Sequence, residues 1–404
     1  MGTVLATACA ETTSARAHRP GRPLIADLEL VDAARPSWVT PDMRLRVPLP
    51  SAVMQEAIGG EPLVFGRLAD GGRIALLTRN EPGVQSAFSW TGWAASIRLE
   101  RYATWRQRPL HTRLPVSYQR IPSTWRHRIA GWMYSGADTD EDAFPSAPFD
   151  AGFEVLRAVA EGGSRPGPSP RVCLTHDVDT ADGFDWAQPI AELEFSLGVR
   201  SSWNIVARGY PTRYDVLDWL VERGFEIGLH DLRHDNRLIY LSEDGMRRRL
   251  DLCRPFLKRY DVRGFRSPSW LRSEQLYRVL PDYVQYDSSS LDFDWLCPAG
   301  RGGVLTATPF AIGQLIEIPV TLPWEAPMLT GGDADRINDY WASKVDWLVS
   351  MGGQAVVNTH PDPHYSGSQP MIRQYGQFLE TLLSRFGGRW SLPRELAAEV
   401  PADA

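Results

Sequence analysis

The sequence is poor in cysteine and has no long hydrophobic run. Four cysteines are spread over 404 residues without a CxxC pair (Cys9, Cys173, Cys253 and Cys297). Their spacing excludes a disulfide scaffold and a cysteine-based zinc finger, and it favours reduced, buried thiols in a cytosolic protein. No stretch approaches the roughly 18 consecutive apolar residues of a membrane-spanning helix, so no transmembrane segment is expected.

An excess of basic residues and a clear export signal are also missing. Lys and Arg number 43 against 49 Asp and Glu, and the resulting net charge of −6 argues against nucleic acid as the main partner. Residues 1–10 lack the basic start and the long apolar run of a secretory signal. We therefore expect a cytoplasmic protein, with export as the alternative, and a disordered tail at residues 1–23.

Two changes in composition divide the rest of the chain. Residues 24–161 carry short alternating segments that predict strands at Arg44–Leu49, Pro62–Phe65, Arg73–Thr78 and Ser96–Glu100. We expect a β-rich N-terminal domain here, of unknown role. Its Arg-rich stretch, residues 101–128, suits either an anionic or membrane-surface patch or an ordinary solvated segment. Residues 162–170 are rich in Gly and Pro and predict a linker.

From residue 171 to residue 404, strand and helix signals alternate. The predicted strands are Arg171–Thr175, Val199–Ala207, Phe225–Leu229, Arg263–Phe265, Leu315–Val320 and Gly353–Asn358. Helices are predicted between them, including one that Ser242 opens and that runs through Leu257, and two at Ile337–Val349 and Met371–Phe386. This alternation predicts a parallel sheet or a barrel.

Two carboxylates follow the first of these strands, in the segment Thr175-His-Asp177-Val-Asp179. Residues i and i+2 of a strand point to one side, so both carboxylates can meet in one site. Close like charges in a dry site push their pKa values apart, so that one can bind a metal while the other acts as a base. Taken alone, the segment also suits a turn or a helix N-cap.

Histidines follow two later strands. His230 and His234 have i, i+4 spacing, which on a helical turn brings both imidazoles to one metal, although unrelated surface histidines share this spacing. Five of the eight histidines fall in the three strand-end segments (His176, His230, His234, His360 and His364). Because the carboxyl ends of barrel strands meet at one mouth, the segments together predict a catalytic metal site with one Asp and two His ligands.

The order of these segments resembles the polysaccharide deacetylase family, the NodB-homology domains of carbohydrate esterase family four. The resemblance covers residues 171–393 and implies a deformed (β/α)7 barrel behind the β-rich N-terminal extension. The family's first motif matches Asp177 and Asp179 in an Asp-x-Asp variant, which makes Asp177 the implied catalytic base and Asp179 a metal ligand. Its second motif matches His230 and His234 as the other two ligands.

The family's third and fifth motifs are also present. Arg266-Ser-Pro268 matches the third, whose arginine holds the base in the family. His360 matches the histidine of the fifth motif, which is the family's general acid. The resemblance thus implies a complete set of base, acid, arginine and ligands.

The fourth motif and the first depart from the family pattern. Asp292-Phe-Asp294-Trp295 meets the fourth motif only in part, and Asp294 is the candidate for supporting the acid. His176 stands where Phe is common, and it either faces the barrel interior or adds a polar group to the site.

Aromatic residues near the strand ends suit stacking on a pyranose ring. Trp270, Trp295 and Trp324 have this placement, with ordinary core packing as the alternative. Trp270 and Trp295, together with Pro268 of the third motif, are the predicted substrate-binding residues.

These features predict a metal-dependent N-deacetylase acting on the acetamido group of an N-acetylated sugar or glycoconjugate. Zinc is the first expected metal, and cobalt and nickel are alternatives. Two other functions stay open: an amidohydrolase of a non-sugar amide, as allantoinase-like enzymes are, and a carbohydrate-binding relative without activity. Homo-oligomerisation is left open too.

Overall fold

The computed structural model describes residues 24–49, 59–80, 83–88, 125, 128, 148–149, 152–162, 169–292, 304, 306–323, 334–363 and 365–400. The tail expected at residues 1–23 lies outside these ranges, as do the predicted strand Ser96–Glu100 and nearly all of the Arg-rich stretch. Most of the predicted linker, residues 163–168, lies outside them as well. The described ranges form an N-terminal β-sheet and a C-terminal α/β unit.

The N-terminal sheet has six strands within the described residues. They are β1 (Leu24–Leu30), β2 (Arg44–Leu49), β3 (Glu61–Leu68), β4 (Arg73–Asn80), β5 (Gly83–Ser86) and β6 (Pro148–Phe149). Their spatial order is β5-β4-β3-β1-β2-β6, and all neighbours are antiparallel except β2 and β6. The sheet confirms the β-rich N-terminal part that was expected from alternating segments.

The N-terminal part contacts the α/β unit through helix α1 and a tryptophan pair. Helix α1 (Gly152–Ala160) places the buried carboxylate of Glu154 where it accepts hydrogen bonds from the hydroxyls of Thr306 and Thr308. Trp38 packs edge-on against Trp347, with ring centroids 5.9 Å apart. Apolar residues of both parts join one continuous buried cluster. The two parts therefore share a core rather than a thin contact.

The α/β unit alternates strands and helices along the chain. Its strands are β7 (Val172–Val178), β8 (Ser201–Ile205), β9 (Glu226–Leu229), β10 (Gly264–Phe265), β11 (Tyr286–Asp287), β12 (Phe310–Ile312), β13 (Leu315–Glu317), β14 (Leu322–Pro323) and β15 (Ala355–Thr359). Its helices are α2 (Phe184–Ser196), α3 (Tyr214–Glu222), α4 (Glu243–Asp251), α5 (Arg254–Arg259), α6 (Glu274–Val279), α7 (Ala334–Met351), α8 (Gln369–Phe386) and α9 (Pro393–Ala398). The strand order is β12-β13-β11-β10-β9-β8-β7-β15-β14, and only the β12–β13 hairpin is antiparallel.

One bent segment closes this sheet into a barrel. Residues 315–323 contain both β13, which pairs with β11, and β14, which pairs with β15 at the other edge. Between them, the N–H of Ile318 donates to the carbonyl of Asp287 at 2.8 Å, and the N–H of Thr321 donates to that of Val356 at 3.0 Å. The ring therefore runs through β7, β8, β9, β10, β11, this segment and β15. These seven strands confirm the deformed (β/α)7 barrel.

The interior of the barrel is apolar near the amino ends of the strands. Its buried cluster contains Cys173, Tyr286, Leu291, Ile318, Val320 and Val356, together with Leu396 and Ala397 of α9. Helix α9 lies at the amino ends, where the Arg394 guanidinium is 3.2 Å from the carboxylate of Glu226 at the start of β9. This end is thus closed by packing, which leaves the opposite mouth for chemistry.

The structure corrects one predicted helix. Ser242 does cap a helix, since its hydroxyl accepts the N–H of Gly245 at 3.2 Å, but the expected run through Leu257 is divided into α4 and α5. Pro255 lies in the first turn of α5, where its missing N–H costs no hydrogen bond, whereas one continuous helix would need that donor.

Within the described residues, no helix combines the length and the apolar character needed to cross a membrane.

The barrel interior leaves no room for a side chain at Gly264. A Cβ built there would lie 2.0 Å from the ring of Tyr286, whose phenol fills the space beside β10. We expect Gly264→Ala to lower the free energy of unfolding by about 1–3 kcal/mol through overpacking. Gly376→Ala is the matched control, because a Cβ there meets Leu193 at an ordinary 3.5 Å. Urea unfolding of both variants tests this, and equal midpoints would contradict the interior placement of Tyr286.

Candidate metal and catalytic site

The predicted site segments meet at the carboxyl mouth of the barrel. Asp177 is the second-last residue of β7 and Asp179 lies just beyond the strand, His230 follows β9, Arg266 follows β10 and His360 follows β15. The parallel strands bring these ends to one side of the sheet. Four stretches far apart in the sequence therefore surround one buried space.

Asp179, His230 and His234 form a candidate metal centre. Oδ1 of Asp179 lies 3.2 Å from Nε2 of His230 and 3.3 Å from Nε2 of His234. All three residues are buried, and one ligand atom from each lies within 4.8 Å of the others. Two imidazole nitrogens and one carboxylate oxygen suit a divalent transition metal, and three protein ligands leave positions open, as catalytic zinc sites do.

The two imidazoles are prepared for this role in different ways. Nδ1–H of His230 donates to the carbonyl oxygen of Arg266 at 2.8 Å, so its Nε2 is turned towards Asp179. Burial lowers the pKa of His234 to about 4 despite the nearby Asp179 carboxylate, so this ring is neutral at pH 7. Burial also disfavours a charge on His230, but the carboxylates of Asp177 and Asp179 outweigh it and raise the pKa of His230. A metal would therefore displace a proton mainly from His230.

The loop that carries the two histidines is not helical, so the expected helical turn is wrong. His230 is the residue directly after β9, and residues 232–236 form a series of bends. Asp231 has φ 63° and Asn236 has φ 57°, both in the left-handed region. The i, i+4 spacing still brings the imidazoles together, with ring centroids 5.2 Å apart. The chain reverses at Asp231 instead of winding as a helix.

Asp177 is a buried carboxylate held from several sides. Its Oδ1 accepts a hydrogen bond from the Asn204 amide at 2.8 Å, and its Oδ2 accepts one from the Asn358 amide at 3.2 Å. Nη1 of Arg266 lies 3.8 Å from Oδ2. Burial favours the neutral acid, but the guanidinium and the neighbouring imidazoles outweigh it and hold the pKa of Asp177 below its usual value. Asp177 is therefore ionised at neutral pH.

The two carboxylates are not driven to opposite protonation states. Burial also favours neutral Asp179, but the imidazoles of His234 and His230 hold its pKa well below the usual range. Both carboxylates are ionised because they share imidazole neighbours, and Asp177 also has the Arg266 guanidinium nearby. The two are instead distinguished by contact: Asp179 faces the histidine pair, and Asp177 faces the amides and Arg266.

Arg266 and His360 both approach Oδ2 of the Asp177 carboxylate. Arg266 is fully buried, and its Nη2 donates to the hydroxyls of Thr175 at 3.0 Å and Ser288 at 2.9 Å, which fixes its direction. Nε2 of His360 is 3.8 Å from Oδ2 of Asp177, and its side chain is 20% exposed against 2% for that aspartate. His360 thus lies on the solvent side of the base.

His176 faces away from the site and from the barrel interior, so both placements expected from the sequence are wrong. Its Nδ1 is 2.6 Å from the Thr359 hydroxyl and its Nε2 is 2.8 Å from the Glu194 carboxylate of α2. Its ring stacks on Trp203 with centroids 4.1 Å apart. Since successive strand residues point to opposite faces, His176 belongs to the layer between strands and helices.

The structure describes only some of the other predicted residues. Pro268 is buried and opens the turn Pro268–Trp270 that follows Arg266. Trp270 is partly buried and packs against the interior apolar cluster. Asp292 pairs with the buried Lys344 of α7, with 2.8 Å between Oδ2 and Nζ. The remaining predicted positions lie outside the described residues (Asp294, Trp295, Trp324 and His364).

Three site residues were missed from the sequence. Asn204 and Asn358 hold the base, as described above. Asp362 accepts the N–H of Asp179 at 3.0 Å and the hydroxyl of Thr180, so it fixes the loop that carries the metal ligand. Alternation along Ser201–Ile205 and Ala355–Thr359 was a usable signal for the two asparagines. No local pattern pointed to Asp362, because its partners are more than 180 residues away.

Comparison with known proteins finds structural similarity with little sequence identity. No protein-family model and no curated protein sequence matches the chain. A protein provisionally named polysaccharide deacetylase from Mycobacterium smegmatis is similar at 19% identity and a TM-score of 0.46, over 59% of this chain and 93% of that chain. Puue allantoinase is similar at 13% identity and a TM-score of 0.45, over 58% and 94%. A CE4 family pseudoenzyme from Bacillus anthracis is similar at 17% and 0.36, over 58% and 70%.

The α/β unit is the deformed (β/α)7 barrel that the sequence motifs implied, and its seven-stranded ring carries polar residues at one mouth. All three neighbours fall below 20% identity and below a TM-score of 0.5. The function of this NodB-like chain therefore has to be argued from its own residues.

The geometry of the candidate site predicts which side chains bind metal. We expect His230→Ala to weaken Zn²⁺ binding by at least about 100-fold, because a site with three protein ligands has no spare donor. Asp177→Asn, a buried neighbour of similar shape, is the matched control and should bind Zn²⁺ like the wild type. Metal analysis after dialysis and titration against a chelator measure both. Equal affinities of wild type and His230→Ala would refute the ligand set.

Proposed function

We propose that this protein is a metal-dependent N-deacetylase that hydrolyses the acetamido group of an N-acetylated sugar or glycoconjugate. One observation carries the proposal: the buried ligand set Asp179, His230 and His234 lies beside a second, ionised carboxylate, Asp177, that is held for proton transfer rather than for the metal. A purely structural metal site needs no such neighbour. Amide hydrolysis needs both a polarising metal and a base.

The residues around the metal centre divide the proton transfers between them. A divalent metal held by Asp179, His230 and His234 would polarise the amide carbonyl and make a water more acidic. Asp177, ionised and fixed by Asn204 and Asn358, accepts the proton of the attacking water.

The second proton transfer falls to His360. On the solvent side of Asp177, a protonated His360 gives a proton to the amine nitrogen as the carbon–nitrogen bond breaks. Acetate and a free amino group are the products. An amine leaves poorly without this proton, so an imidazole that titrates near neutrality suits the role.

The mouth also offers a surface for a sugar ring. Trp270 lies four residues after Arg266, is only partly buried and rests on the apolar interior, which suits stacking against a pyranose. Pro268 shapes the turn that presents it. Trp295 is proposed as a second contact. With zinc as the proposed metal, a panel of N-acetyl glycosides assayed for acetate, beside cyclic non-sugar amides assayed for the ring-opened carboxylate product, distinguishes the deacetylase from a different amidohydrolase.

We further propose a cytoplasmic enzyme that acts on a small soluble precursor. Cys173 and Cys253 are buried free thiols, as expected in a reducing compartment. Fractionation of the native cells tests the location. Clear preference for insoluble polymer over short soluble glycosides would contradict the substrate size.

Substituting the proposed base or acid should reduce activity without loss of metal, whereas substituting a ligand should reduce both. We expect Asp177→Asn to abolish acetate release, and His360→Ala to reduce kcat by about 10²–10⁴-fold, the usual contribution of a general acid. Both variants should keep Zn²⁺, since neither residue belongs to the ligand set. Parallel measurement of acetate release and metal content decides this. Loss of metal in Asp177→Asn together with its retention in Asp179→Asn would mean that the two aspartates have exchanged roles.

Asn204 should control the pH at which the base works. Its amide stabilises the charged form of Asp177, so Asn204→Ala should raise the pKa of that carboxyl and move the acidic limb of kcat/KM upward by about one pH unit. Metal affinity should not change. Ser202→Ala, two residues earlier on β8, is the control and should leave the limb in place. A pH–rate profile that is the same in Asn204→Ala and wild type would exclude Asn204 from holding the base.

A further inference from the structure

Arg249, which lies outside the site, forms several hydrogen bonds to the loop that carries the two histidines. Arg249 belongs to α4, and its Nε and Nη2 donate to the two carboxylate oxygens of Asp231 at 2.9 and 2.7 Å. Its Nη2 and Nη1 also reach the two oxygens of Asp235, at 2.7 and 3.2 Å. A further bond joins Nη2 to the carbonyl of Arg233 at 2.8 Å. A single guanidinium therefore binds three positions of a short loop.

The two aspartates hold the shape of that loop at its critical points. Asp231 directly follows the first histidine, is fully buried and adopts φ 63°, and its Oδ1 accepts the N–H of Leu232 at 2.6 Å. Asp235 directly follows the second histidine, and its Oδ1 accepts the N–H of Arg237 at 3.1 Å. A left-handed backbone is unfavourable for an aspartate, so other contacts must maintain it.

We propose that Arg249 is a positioning residue for the metal centre, which presets the directions of the His230 and His234 imidazoles through Asp231 and Asp235. The proposal rests on the metal site of the proposed function. These Arg249 hydrogen bonds go to Asp231, Asp235 and the carbonyl of Arg233, and none of them goes to an imidazole. Its planar fork can bind two carboxylates at once, whereas the ammonium of a lysine acts as a point charge and cannot span both in this way.

The alternative is that Arg249 only stabilises the fold, since a buried carboxylate left without its partner is costly in any protein. The two roles differ in what they change. A purely structural residue lowers the unfolding midpoint of the metal-free and the metal-bound protein by the same amount. A positioning residue weakens metal binding, so it also reduces the rise in midpoint that Zn²⁺ produces.

Three variants separate these roles: Arg249→Lys, Asp235→Asn and the control Arg248→Met. Arg249→Lys keeps the charge beside buried Asp231, and Asp235→Asn keeps the Arg249–Asp231 pair, so each preserves the main buried contact. Arg248 is exposed and adjacent on the same helix. The measurements are the Zn²⁺ Kd by chelator competition, the visible absorption spectrum of the Co²⁺-loaded protein, and the unfolding midpoint with and without Zn²⁺.

We expect Arg249→Lys to weaken Zn²⁺ binding by about 10–100-fold, the range found for residues that support metal ligands, and to alter the Co²⁺ spectrum. Asp235→Asn should weaken binding less, and Arg248→Met should match the wild type. Wild-type Kd and spectrum in both loop variants would overturn the positioning role, whatever their unfolding midpoints. If the wild type itself takes up no Zn²⁺, the proposed function fails at its metal site, which is a distinct result from equal binding by all four proteins.

Discussion

The rest of the mouth depends on keeping one carboxylate charged inside the barrel. Asp177 is almost wholly buried, and an isolated buried charge of this kind costs several kcal/mol. Two amides and the Arg266 guanidinium offset that cost. Arg266 is itself buried and in turn needs the hydroxyls of Thr175 and Ser288. The charged Asp177 carboxylate therefore requires this polar network.

Small residues make room for this network. Asp177, Asn204 and Gly228 are lateral neighbours on β7, β8 and β9. A Cβ at Gly228 would lie 2.1 Å from the amide oxygen of Asn204, so glycine is what lets that amide lie across the strands towards the base. The charged Asp177 on β7 therefore restricts which residue can occupy position 228 on β9.

The sequence predicted the fold and the clustering of Asp179, His230 and His234 better than it predicted the residues that support them. Strand ends rich in Asp and His mark the mouth because parallel strands collect there, and this logic does not need exact boundaries. The same logic failed for the loop after β9, where the spacing suits a helical turn but Asp231 reverses the chain. Asn358 shares a strand face with His360 and could have been predicted. Arg249 could not, because only tertiary packing brings α4 against that loop.

The interior changes character along the strands themselves, and this gradient places the chemistry. On β7 the inward residues run from Cys173 through Thr175 to Asp177, and on β15 from Val356 through Asn358 to His360 just beyond it. Each series passes from an apolar or weakly polar side chain, through a neutral hydrogen-bonding one, to a group that titrates. The amino end packs around Tyr286, whose hydroxyl donates to the buried Glu226 carboxylate at 2.9 Å, and is closed by α9. The Asp and His side chains of the candidate site lie at the other end, where the low dielectric strengthens their mutual interactions. Of Asp177 and His360, only His360 reaches solvent to an appreciable extent, at 20% exposure against 2%, so the proposed acid can exchange protons with water while the proposed base stays dry.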